Sequence, residues 1–417
     1  MWRYRCKSHL ISMLIGFAVG CVIAFISVNQ HMGVYMSLYP SEVISYIQQN
    51  QLMFYAMSGL SIAGIVNIIR LMEFVGEKWN ISPFIIIMLM IFVPEVFLYI
   101  GIALVIPVAI ACIVGMIQLK FGKAGDFTSG VLTPDQELVR MYTLRHPLKM
   151  EVKELADMCR KTSQKIQLIY TLGLIAVVCV IFLVSNIWIL IVGFLVFLFS
   201  FNILSRYRSS NIVPIVSLLY DQCDPEMCAS AIIMYSTRGK KVHLQMHTIL
   251  AQCLIYMDEP ELAQDVLTRF PKKDKMSVIQ YWTLMAYIYY LLKDEHSIER
   301  CKEELKKVTQ RTTFSSVMAT SEEMASIQNK IDLMNGELNT CRKYYLKRLQ
   351  TARVACQQVD ASYYIGLISF VEQDYPLADV YFKRVVAMGN KMSFVSKAQG
   401  YLDKLSQMNI NPAEEQV

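Results

Sequence analysis

Two cysteines and two histidines stand at a spacing that could hold a metal: Cys223-x4-Cys228, then His243-x3-His247. The set is close to that of a two-cysteine, two-histidine zinc finger, in which four side chains form a tetrahedron around one ion. The 14 residues between Cys228 and His243 carry no Phe/Leu pattern for the core of a small finger. Pro225 opens a helix in which Cys228 already has a packing position, and cytosolic thiols are often simply buried. No metal site is therefore expected. Ser58, in Ala56-Met57-Ser58-Gly59, lies in an apolar stretch. A serine nucleophile needs a base within reach, and no predicted span contains a histidine. The spans also lack aspartate, and neither HExxH nor GxxxxGKS/T occurs, so zincin and P-loop chemistry have no support. No catalytic residue or cofactor is expected, and the chain reads as a non-enzyme. Glu95 reads as a turn residue at the outer surface, or as an ion or proton site if its segment re-enters the bilayer. Asn67 reads as an interhelical hydrogen-bonding residue.

The elements that must carry these residues are mostly apolar. The chain of 417 residues is 54% hydrophobic and 18% charged, with a formal net charge of +6. Soluble domains usually carry about 25% charge, so much of this chain is expected in lipid. The small basic excess calls for no nucleic acid. Six apolar runs can be drawn, at about 10–28, 52–69, 80–93, 96–119, 166–184 and 187–204. About 20 apolar residues cross a bilayer as a helix. An alternative reading makes 80–119 one bent or re-entrant element, broken at Pro94 and Pro107. Gly16-x-x-x-Gly20 offers a close helix–helix approach.

Basic residues sort the loops. Arg3, Arg5 and Lys7 precede the first run, and no Lys or Arg follows until Arg70. Residues 120–165 hold Lys120, Lys123, Arg140, Arg145, Lys149, Lys153, Arg160, Lys161 and Lys165, and Arg206 and Arg208 follow the last run. The positive-inside rule then places both termini in the cytoplasm. The first run reads as an uncleaved anchor, because no A-x-A cleavage site follows it. None of the 11 cysteines falls in a predicted outer loop, so no disulfide framework is implied. Within 120–165, Thr133-Pro134-Asp135-Gln136 predicts a capped helix over about 134–142. A second helix is expected over about 147–165, running into the fifth span. This insertion is either a solvated connector or a docking surface for the C-terminal region.

The C-terminal half changes character. "YYIGLISFVEQDYPLADVYFKRVVAMGN", residues 363–390, reads as two amphipathic helices around a tight turn at Asp374-Tyr375. Ile365-Gly366, Ala378 and Phe382 fit the tetratricopeptide repeat, a 34-residue unit of two antiparallel helices, and the unit resembles that family. Weaker copies lie at 208–241, 244–277, 279–312 and 322–355. Their small or apolar second-helix positions are Cys228, Ala263, Ile298 and Cys341, ahead of Ala378, at spacings of 35, 35, 43 and 37. One such hairpin cannot bury its apolar face alone, so hairpins stack and share a core. The resemblance implies a concave groove lined by first-helix residues, here Gln252, Tyr256, Tyr287, Tyr290, Tyr363 and Phe370. Lys397 to Ser406 reads as a solvating terminal helix, and 409–417 as a disordered tail.

The expected architecture is all-α. A six-helix polytopic membrane domain (1–205) is followed by a cytoplasmic repeat solenoid (206–408). The role this implies is a scaffold in a bacterial cytoplasmic membrane, binding a protein partner in an envelope, secretion or polymer-export assembly. The alternative is a transporter or membrane enzyme regulated by its repeats.

Overall fold

A computed structural model of the chain describes residues 2–30, 41–79, 94–122, 133–183, 187–239, 241–309 and 314–410. Among them every element is helical except one hairpin of two short strands, Thr237–Arg238 and Lys241–Val242. The chain forms two compact units. The first comprises Met1–Ser129 with Pro271–Val278 and Lys307–Met318, and the second comprises Gly130–Phe270, Ile279–Lys306 and Ala319–Val417.

In the first unit the helices are α1 (Trp2–Gln30), α2 (Ser41–Gln49), α3 (Gln51–Trp79), α4 (Pro94–Ala103) and α5 (Val105–Gly122). Two stretches are long and apolar enough to cross a membrane, Arg5–Asn29 and Gln51–Val75. A third candidate is the pair Glu95–Ala103 and Val105–Gln118, bent by 49°. The bend has a local cause. Pro107 has no N–H to give the carbonyl of Ala103, and its ring crowds that carbonyl. The helix resumes where Val108 donates to Leu104, 2.9 Å away. The expected run 80–93 lies outside the described residues. The fifth and sixth runs lie on helices of the second unit.

α1 packs along α3, and α3 packs on α4. Glycine makes both approaches possible. A Cβ on Gly20 would lie 2.5 Å from the carbonyl oxygen of Ser58 and 2.8 Å from the Cα of Gly59. A Cβ on Gly101 would collide with the carbonyl oxygen of Gly64. Small residues let helix backbones meet in this way where lipid gives no hydrophobic drive to association. Arg5 Nε donates to the carbonyl of Lys273 at 2.6 Å, which ties the start of α1 to the segment 271–278 of the same unit.

The second unit begins with α6 (Pro134–Arg145), α7 (Lys153–Leu183) and α8 (Ile187–Ser210). The capping box expected at Thr133 forms. The Thr133 hydroxyl accepts from Gln136 N and the Gln136 side chain accepts from Thr133 N, with Pro134 in the first turn. Paired helices follow: α9 (Val213–Tyr220) with α10 (Pro225–Ser236), and α11 (His247–Tyr256) with α12 (Pro260–Thr268). Beyond them come α13 (Lys275–Leu291), α14 (Glu295–Thr309), α15 (Phe314–Met334), α16 (Leu338–Thr351), α17 (Ala355–Val371), α18 (Tyr375–Met388) and α19 (Ser393–Ile410), with the start of α13, the end of α14 and the start of α15 counted in the first unit.

Five turns in this region are built alike. Cys223, Asp258, Lys293, Gly336 and Gln373 all have left-handed φ, between 54° and 76°. An acidic residue follows each one: Asp224, Glu259, Asp294, Glu337 and Asp374. Its N–H reaches back to a carbonyl of the preceding helix at 2.8–2.9 Å, which is the Schellman way of closing a helix. The carboxylates of Asp224, Asp294 and Asp374 then accept from the N–H three residues on, capping the next helix. Each left-handed residue stands five positions before one of the second-helix positions singled out above. Cys228, Ala263, Ile298, Cys341 and Ala378 are each 0% exposed. In the last pair Gly366 gives room for the Phe382 ring, which would lie 2.9 Å from an added Cβ.

The insertion docks on these hairpins. Leu138, Val139 and Tyr142 of α6 line a small space with Ile233, Leu254 and Val266. Arg145 and His146 both engage Glu259, and Arg160 donates to the carbonyl of Thr237 at 2.6 Å. The unit also closes on itself. α9 packs against α17, Asn390 Nδ2 donates to the carbonyl of Gln222 at 2.8 Å, and Lys391 N donates to the carbonyl of Cys223 at 3.2 Å.

Candidate functional site

The closed helices of the second unit surround a hub of tyrosines. Tyr287 and Tyr290 come from one face of α13, three residues apart. α15 contributes Lys330, α16 contributes Tyr345 and Arg348, and α17 contributes Asp360 and Tyr364. Lys330 is 5% exposed and Asp360 3%. The Lys330 ammonium lies 3.9 Å from the ring centre of Tyr287, 4.2 Å from that of Tyr364, 4.8 Å from that of Tyr290 and 5.7 Å from that of Tyr345. It donates to the Tyr345 hydroxyl at 3.1 Å. The Tyr345 ring stacks on Tyr364 with centroids 4.7 Å apart. Tyr287 donates its hydroxyl proton to Asp360 at 2.8 Å, and its oxygen lies 3.3 Å from the Tyr364 hydroxyl.

The charge balance of this hub is uneven. Arg348 Nε lies 3.8 Å from Asp360, so one carboxylate faces two cations. Burial, the largest single influence, tends to deprotonate Arg348, but the Asp360 carboxylate together with Tyr344 and Tyr256 outweighs it and holds the guanidinium more firmly charged. Burial acts on Lys330 against a weaker upward pull from Asp360, and lowers its pKa from the ordinary lysine range to about 7. A buried ammonium is costly unless matched by a counter-charge, and here Arg348 competes for the same one. Ring faces attract the ammonium and offset part of that cost. Burial raises the Tyr287, Tyr345 and Tyr364 hydroxyls well above their usual range, so they stay protonated donors.

The six groove residues expected from sequence meet different fates. Tyr287 and Tyr290 enter the hub. Tyr256 and Tyr363 are buried at its rim, each against Phe394 of α19. Tyr363 stacks on Phe394 with centroids 4.5 Å apart, and Tyr256 meets the same ring edge-on at 5.9 Å. Phe370 packs edge-on against Tyr401 of α19 at 4.9 Å. Gln252 is half-buried and accepts from the Tyr220 hydroxyl at 2.8 Å. Of the set, Tyr256 and Tyr363 are buried against the chain's own α19, and Gln252, Tyr287, Tyr290 and Phe370 are half-buried. Reading first helices by their position in a repeat says which face turns inward. It does not say which residues of that face the chain's own α19 covers.

Lys330, Asp360 and Arg348 were missed. Asp360 had a signal, because it is the only charge in the apolar helix Ala355–Val371. Lys330 had none, since it lies among other polar residues in α15.

The first unit holds a separate polar contact. His9 Nε2 lies 3.0 Å from Asn67 Oδ1, and Asn67 Nδ2 donates to the carbonyl of Gly101 at 3.0 Å. Asn67 thus makes the interhelical bonds expected of it, bridging α1, α3 and α4. The first apolar helix starts earlier than expected and takes in His9. Ser58 is nine residues from Asn67 along α3, about 13 Å at the helical rise, which keeps His9 from acting on Ser58. Glu95 lies exposed in the first turn of α4. Of the possible zinc ligands, Cys223 and Cys228 are buried in the first hairpin, whereas the His243 side chain is 87% exposed and faces Asp135. Comparison with family models, with curated proteins and with solved structures finds no match to this chain.

Proposed function

We propose that the chain is a membrane-anchored adaptor whose tetratricopeptide-like hairpins hold a protein partner at the cytoplasmic face of a bacterial membrane. The observation that carries this reading is the five-fold recurrence of one helix-turn-helix geometry, in register with five buried second-helix positions. Arrays of that kind serve chiefly as binding surfaces, and their aromatic residues make effective interface anchors. The apolar helices Arg5–Asn29 and Gln51–Val75 supply the anchor, in a domain of six spans. The alternation of basic loops supports both termini in the cytoplasm. So does the bond from Arg5 to Lys273, which keeps the start of α1 with a segment from the repeat region.

Photo-crosslinking groups placed at Gln252 and Phe370 of the full chain, in native membranes, test the reading. One discrete protein adduct is the expected result. A rival reading, a transporter regulated by its repeats, is favoured by the buried His9–Asn67–Gly101 contact, because polar side chains inside apolar bundles often mark transport paths. It gains if both positions capture only lipid and Asn67→Leu abolishes a cellular phenotype that Phe370→Ala leaves intact. Labelling of Val417 from outside intact cells would overturn the topology shared by both readings.

A further inference from the structure

The second unit closes through the packing of α9 on α17 and through a seam at the start of α19. On one side lie Gln222 and Cys223 after α9, with Tyr256 and Asp258 at the end of α11. On the other lie Asn390, Lys391, Phe394 and Lys397, at and just before the start of α19. Beside the packing of α9 on α17, the contacts that cross it include the two backbone-directed bonds from Asn390 and Lys391, the Tyr256–Phe394 ring contact, and the Lys397–Asp258 ion pair at 2.8 Å. The ion pair is exposed on both partners, and such pairs hold weakly. α19 is otherwise fastened to its own hairpin, where Tyr401 stacks on Phe382 with centroids 5.0 Å apart. The seam can therefore part without detaching α19 from α18.

We propose that this seam is the partner site, and that α19 occupies it as a built-in stand-in for the partner. The proposal rests on the adaptor reading and adds the partner's chemistry. The occupant is read from what the chain itself places there. Phe394 and Lys397 are three residues apart, so they share one helical face. The aromatic ring meets Tyr256 and the ammonium meets Asp258. The partner is accordingly an amphipathic helix that presents an aromatic residue and a basic residue at the same spacing. It docks in the helix-in-groove manner, displacing Phe394 from Tyr256 and Lys397 from Asp258. Partner affinity is then set by competition with the chain's own helix, because the competent open form is only a fraction of the population.

The full chain in detergent micelles provides the test, with a labelled synthetic peptide of residues 391–408 as the probe. Phe394→Ala with Lys397→Glu weakens the stand-in and leaves Tyr256 and Asp258 in place. This double variant is expected to bind the peptide about tenfold tighter than the unaltered chain, and adding Asp258→Lys should abolish the gain. A double variant with unaltered helical circular dichroism and no gain in peptide binding overturns the proposal. So does a gain that appears only with dimers in light scattering, which would mark α19 exchange between two copies. If the double variant does not fold, hydrogen exchange on the unaltered chain decides. Amides of Asn390, Lys391 and Phe394 exchanging well before those of 355–371 support an opening seam, and exchange of all of them as one unit overturns it. Peptide binding as expected, together with no protein adduct in native membranes, leaves the seam standing and overturns the adaptor reading alone.

Discussion

The two units bury polar groups by opposite means. In the first, a histidine, an asparagine and a backbone carbonyl meet inside apolar helices, and every group is neutral or can be. Backbones approach over Gly20, Gly59, Gly64 and Gly101, and side-chain volume is kept out of the contacts. In the second, large aromatic rings fill the centre and real charges lie among them, Asp360 with Arg348 and Lys330. The difference is the one expected if lipid surrounds the first unit and water surrounds the hairpins. An apolar bundle gains nothing from hiding oil from oil, so close packing and a few hydrogen bonds must hold it. Hairpins in water would gain from burying rings, and that gain can carry the cost of desolvating charges.

The charged hub is most vulnerable at Asp360. Asp360→Ala leaves Arg348 without its buried partner and the Tyr287 hydroxyl without its acceptor. Removing one member of a buried charged pair costs about 3–5 kcal/mol, so urea denaturation should show the second unit unfolding far more easily. A loss under 1 kcal/mol would mean that water reaches the hub. Gly101→Val probes the first unit at its tightest approach. Overpacking of about 1–3 kcal/mol is expected, read as a lower detergent melting temperature, and Gly101→Ser should cost less. The direct counterpart of Asp360→Ala is Asn67→Leu. Hydrogen bonds between membrane helices are worth about 0.6 kcal/mol on average, with a maximum near 1.7, so its cost should be a fraction of that for Asp360→Ala. Equal costs would erase the contrast between the units.

Lys330 makes the stability of the second unit depend on pH. Its folded pKa, about 7, lies below its unfolded value of 10.5. Below pH 7 both states hold the proton and stability does not change with pH on this account. Above pH 7 the folded lysine sheds its proton while the unfolded one keeps it, so the unfolded state binds more protons and stability rises with pH. Denaturation midpoints should therefore climb from pH 7 to 9. Lys330→Met should flatten that rise and itself cost little at neutral pH, since apolar replacement of a buried charge is often near neutral. A climb that persists in Lys330→Met would assign the titration elsewhere.

Much of the local structure was legible in the residues. Thr133 through Gln136 specify a capping box by atoms that meet within one turn. The five acidic turn residues and the five small or apolar positions after them mark the hairpins even where the spacing lengthens to 43 residues between Ile298 and Cys341. Asn67, alone in an apolar run, announced a hydrogen bond, though not its partner. His9 escaped because it borders basic residues that read as a solvated flank.

The sequence by itself determined that the chain is helical, where its hairpins turn, and that the helices holding runs 10–28 and 52–69 are apolar enough for a membrane, because periodicity, caps and hydropathy act over a few neighbouring residues. Only the tertiary structure decided that Tyr256 and Tyr363 are buried, that Lys330 and Asp360 lie among the tyrosines, and that Phe394 reaches Tyr256. Those outcomes depend on how small rotations at successive helix packings add up along the array, and no single stretch of residues carries that sum.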